Sequence, residues 1–73
     1  MANASRANVN QFAYALSGLT RARDVQNMSK LLAKMSMFPQ KRRQQILFRT
    51  LEQLNSTEQV FLKDQIARFA DQG

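Results

Sequence analysis

The chain has no cysteine, no histidine and no tryptophan, and only one proline and two glycines among its 73 residues. Without cysteine or histidine, disulfide staples and thiolate or imidazole metal sites are excluded. A catalytic nucleophile would have to be a serine, threonine or lysine activated by a positioned base. No GxSxG, SxxK or glycine-rich phosphate loop occurs to hold one. The five acidic residues are scattered, and four of them fall in the last third of the chain, where they read as solvated helix surface. These absences predict a protein that is not an enzyme and carries no cofactor or metal.

Long apolar runs are missing as well. The longest, Phe12 to Leu16, has five residues, against the ~20 needed to span a bilayer. The opening "MANASRANVNQFAYALSG" lacks the basic start and apolar core of a signal peptide. The expected location is the cytoplasm, with no membrane partner.

Negative charge is the scarcity with the clearest consequence. Eleven lysines and arginines face five acids, a net charge of +6. Residues 1–50 hold nine of the basic side chains and Asp24 alone among the acids, whereas residues 51–73 are net acidic. Such asymmetry sets up an electric dipole whose positive end attracts an anionic partner.

The shortage of glycine and proline, with few β-branched residues and no sustained alternation, predicts an all-α fold. We expect a small bundle of three to four short helices over residues 8–73, behind a mobile N-terminal tail at residues 1–7. Asn8 or Asn10 is a candidate first cap. Val9, Phe12, Ala13 and Leu16 share one helical face, and Gly18 would end that helix. Thr20 would cap the second, whose buried stripe is Val25, Met28, Leu32 and Met35, with Leu31 beside it; Lys30 and Lys34 project away. Pro39 suits the first turn of a third helix running to about Leu54, with Leu47, Leu51 and Leu54 inward and Phe48 at their flank. "NSTEQ" offers Ser56 as a cap with Gln59 three residues on. The fourth helix would bury Leu62, Ile66, Phe69 and Ala70, widened by Val60 and Phe61.

The densest positive charge lies in "FPQKRRQQILFRTL", residues 38–51. At ~100° per residue, Lys41, Arg42 and Arg43 fan over about 200° of a helix. Arg42 and Arg49 share a face, with Ile46 at its edge. That mixture of arginine and an aliphatic anchor is common at protein interfaces, although a broad core face would also account for Ile46. The candidate partner-binding residues are therefore Arg6, Val9, Phe12, Lys30, Lys34, Lys41, Arg42, Arg43, Ile46 and Arg49. Met37 and Phe38, at the bend, are open to either role. A nucleic acid is the alternative partner for the same basic surface, since it would neutralise several phosphates in a salt-dependent way. "TLEQLNSTEQVFLKDQIARF" resembles the opening of a sigma-factor-type helix-turn-helix, but that opening is generic, and a complete motif with a turn and recognition helix is not expected. Stacking platforms are also few.

In length, basic charge and helix-rich pattern, the whole chain resembles the small RNA-polymerase-binding transcription regulators of bacteriophages, of the kind found in a Xanthomonas phage. The likeness is one of overall character, so no residue roles transfer with it. It implies a regulator acting in the host cytoplasm that docks on the large subunits of RNA polymerase. Such a regulator would inhibit initiation by hindering the sigma factor and would promote antitermination.

Overall fold

A computed structural model describes the backbone of residues 2–72 and the side chains of residues 8–71. The expected tail, with Arg6, lies outside the residues whose side chains are described. Four helices follow one another: α1 (Ala2–Ala22), α2 (Val25–Met35), α3 (Gln40–Glu52) and α4 (Ser56–Gln72). No strand occurs among the described residues, and the fold is all-α as the sequence predicts.

The first helix runs further than expected. Gly18 lies inside α1 rather than at its end, and neither Asn8 nor Asn10 caps it. The stop comes at Arg23, which takes a left-handed φ of 56°. Its amide donates to the Thr20 carbonyl at 3.1 Å, and the Asp24 amide donates to Leu19 at 3.0 Å. That bond pair is the Schellman ending, usually built on glycine. Here the guanidinium of Arg23 lies 4.8 Å from the centroid of the Phe61 ring, a cation–π contact that offsets part of the backbone strain. A Cβ added at Gly18 would meet nothing within 4 Å. Gly18→Ala should therefore stabilise the fold by up to about 1 kcal/mol, since alanine is the better helix former. A urea titration followed by circular dichroism measures this, and a lower midpoint would show that α1 does not continue through residue 18.

Side chains cap α2 and α4, each one shifted from the expected residue, whereas α3 starts at Pro39 without a side-chain cap. Asp24, not Thr20, caps α2: its Oδ1 accepts from the Asn27 amide at 3.3 Å and its Oδ2 from Asn27 Nδ2 at 2.7 Å. Pro39 sits just before α3, extended at ψ 151°, and its carbonyl receives the Arg43 amide at 3.1 Å. Asn55, one residue before Ser56, forms the capping box. Its Oδ1 accepts from the Glu58 amide and its own amide donates to Glu58 Oε1, both at 2.9 Å. The carboxylate at the start of α4 also suits the helix dipole.

α1 is the hub, packing most extensively on α3 and also touching α2 and α4. Its buried face is Val9, Ala13, Leu16, Ser17 and Thr20, one helical stripe. Three buried hydroxyl residues serve this packing. Thr20 donates to Leu16 O at 2.7 Å, Thr50 to Ile46 O at 2.7 Å, and Ser17 to Tyr14 O at 2.8 Å. Each bonds within its own helix, so burial leaves no hydroxyl unsatisfied. Ser17 also reaches Gln53 Oε1 at 3.2 Å, and Arg21 donates to the Gln53 carbonyl at 2.5 Å, tying α1 to the end of α3.

The apolar core joins Val9 and Leu16 to Met28, Leu32, Met35, Ile46, Leu54 and Leu62. The two methionines occupy the core as expected. The face of α3 is rotated by one residue from expectation. Ile46 and Thr50 are fully buried, Leu47 and Leu51 are only half-buried, and Phe48 is 66% exposed. Val25, Val60 and Ala70, expected inside, are exposed.

Candidate partner-binding surface

The structure divides the candidate residues into two groups. Three belong to the core and are withdrawn as partner anchors. Val9 and Ile46 are buried, and Phe12 is half-buried and packs edge-on against Phe38, with ring centroids 5.1 Å apart and an interplanar angle of 88°. Of the two roles open to Ile46, an anchor at the edge of the Arg42–Arg49 face or part of a broad core face, the structure takes the second. The burial of Thr50, one turn further on, fixes the same row.

The cations stay outside. Lys30 and Lys34 are exposed on α2, and Lys41 and Arg49 on α3, while Arg42 and Arg43 are half-buried. The connection of residues 36–39 joins the last turn of α2 to the first turn of α3, so Lys34, Lys41 and Arg42 flank one corner of the molecule. Arg49 stands apart, seven residues along α3, a rise of about 10 Å from Arg42.

At the apex of that corner is Met37, 83% exposed, the most exposed large apolar side chain described. Its neighbour Phe38 turns inward and fixes the bend. Phe38 packs on Phe12, and the Arg42 guanidinium lies 5.4 Å from the centroid of its ring. The Met37 amide donates to Lys34 O at 3.1 Å and the Phe38 amide to Met35 O at 3.0 Å. The backbone under the exposed thioether is thus held in a hydrogen-bonded turn. The sequence left Met37 undecided. Of the two apolar residues at the bend, the core takes Phe38 and leaves Met37 outside.

Three of the five acids are engaged elsewhere. Asp24 and Glu58 cap helices, and the ion pairs among the described residues are Arg68–Asp64 at 2.9 Å and Arg21–Glu58 at 4.0 Å. Lys30, Lys34, Lys41 and Arg49 take part in neither pair. Lys34 and Lys41, exposed at the α2–α3 corner, are therefore open to an external anion.

Among the described residues no group of three or more acidic side chains could hold a metal ion, and no helix is long and apolar enough to cross a membrane. No family model matches the chain, and no curated protein or solved structure gives a significant match.

Proposed function

We propose that the protein is a non-enzymatic transcription regulator that binds bacterial RNA polymerase, inhibits initiation by hindering the sigma factor and promotes antitermination. The observation that supports a protein partner is Met37, an exposed thioether on a fixed turn between Lys34 and Lys41. Methionine adapts to an irregular apolar pocket, while flanking cations steer the encounter toward an acidic surface and set its orientation. Bare phosphate would make use of the cations but give the thioether nothing to fill. Polymerase as the partner follows from the likeness of the chain to small phage regulators in size, charge and helix content.

A tagged copy of the protein, incubated with bacterial lysate before and after nuclease treatment, tests this reading. Recovery of the large polymerase subunits from nuclease-treated lysate is the expected result. Loss of every partner on nuclease treatment would replace it with a nucleic-acid-binding module acting through the same basic corner. A reconstituted transcription assay should then give fewer sigma-dependent initiations and more readthrough of a terminator.

A further inference from the structure

On the far side of α3 from the hub helix lies an open apolar groove. The hollow that takes Phe48 and Leu51 from α3 takes Leu62 from α4, and the next, which α2 also enters, takes Arg43 and Phe69. The two helices therefore run antiparallel with a trough between them. The hollows have volumes of about 260 and 480 Å³, and Gln44, Leu47 and Ile66 line both, so they form one channel. Its floor is aliphatic and aromatic: Met35, Leu47, Leu51, Leu62, Ile66 and Phe69. This explains the half-burial of Leu47 and Leu51, which pack on the edge of the core and line the trough on their other side.

We infer that this groove docks an amphipathic helix bearing acidic side chains on a partner protein. Three observations select that occupant. The α3 wall from Gln40 to Leu51 rises about 16 Å, or three turns, enough for apolar anchors at i, i+3/i+4 and i+7 of a docked helix. No acidic residue lines the groove, while Arg43 stands on one wall and Lys63 on the other. Arg43 Nε is shielded from solvent and has no hydrogen-bond partner. A shielded guanidinium N–H without an acceptor is costly, and a carboxylate beside the apolar seam of the docked helix would satisfy it with a charge-assisted bond. A second copy of this chain suits the site poorly, because two molecules of charge +6 repel. The inference stands without the polymerase reading, since it uses a different surface.

The full chain, isotope-labelled, is titrated with a peptide of about fourteen residues, ~21 Å when helical, carrying leucine at i, i+3, i+7 and i+10 and mainly glutamate elsewhere. Expected are saturable NMR shifts at Leu47, Leu51, Leu62 and Ile66. A peptide of the same composition with scrambled leucines should bind at least about tenfold more weakly, as should the peptide with lysine for glutamate. Arg43→Gln and, separately, Lys63→Gln should each weaken binding, Arg43→Gln by about tenfold, with helical circular dichroism unchanged. Lys63 is exposed, so its variant keeps the test valid should Arg43→Gln fail to fold. Four results would overturn the inference: no shifts up to ~1 mM peptide, equal binding of the scrambled or lysine peptide, displacement by a single-stranded oligonucleotide, or a concentration-dependent dimer whose shifts map to the groove.

Discussion

Ile46→Ala is expected to destabilise the domain by about 3 kcal/mol, within the range for truncating a fully buried isoleucine. Ile46 has no exposed surface and belongs to the core cluster with Leu16, Met28 and Leu62. Its loss would leave a cavity in the middle of the α1–α3 contact, and that contact is the most extensive in the fold. A chain of 73 residues has a total stability of only about 4–11 kcal/mol, so this one change removes a large part of it. The melting temperature should fall by roughly 12–24 °C, at about 4–8 °C per kcal/mol for a domain of this size. Thermal unfolding followed by circular dichroism is the measurement. Arg49→Ala, on the exposed side of the same helix, provides the control and should change stability by less than about 0.5 kcal/mol. If Ile46→Ala behaved like Arg49→Ala, Ile46 would be a surface residue and the register of α3 would be wrong.

That register shows how much of the fold could be read from the sequence. The existence and approximate limits of α2, α3 and α4 follow from apolar spacing, and Met28, Leu32, Met35 and Leu62 are buried where the spacing puts them. On α3 two rows compete. Leu47 and Leu51 form the more hydrophobic one, but the core takes Ile46 and Thr50, with Leu54 just beyond the helix. Threonine conceals that row in the sequence. Its hydroxyl bonds to the carbonyl of Ile46 one turn back, so its burial costs little and its small size lets α1 approach. Ser17 and Thr20 conceal part of the α1 face in the same way. The end of α1 was unreadable for a different reason: arginine has no sequence-level preference for the left-handed turn that Arg23 makes. The groove could not be foreseen either, because it depends on how α3 and α4 diverge. The cations were legible as a group, but their concentration at one corner follows from the turn at residues 36–39.

Met37→Glu combined with Lys41→Glu should abolish capture of the protein partner, weakening it by about a hundredfold or more, while helical content and melting temperature stay close to those of the unmodified protein. Met37 is 83% exposed, so its side chain has few packing contacts to lose, and a surface change of this kind costs under about 0.5 kcal/mol. An apolar anchor at the centre of an interface is worth about 2 kcal/mol when truncated, close to thirtyfold in affinity. A carboxylate in its place adds the desolvation of a charge, and reversing Lys41 sets like charges against an acidic partner. Tyr14→Glu, at a position also largely exposed but on α1, should leave capture intact. The double variant should also bind the acidic helical peptide as well as the unmodified protein does, since neither Met37 nor Lys41 lines the groove. Loss of both activities together would mean one continuous surface wrapping α3, and unchanged capture would move the partner site away from the α2–α3 corner. Loss of capture with the groove still functional would establish two separate docking surfaces on a domain of four helices.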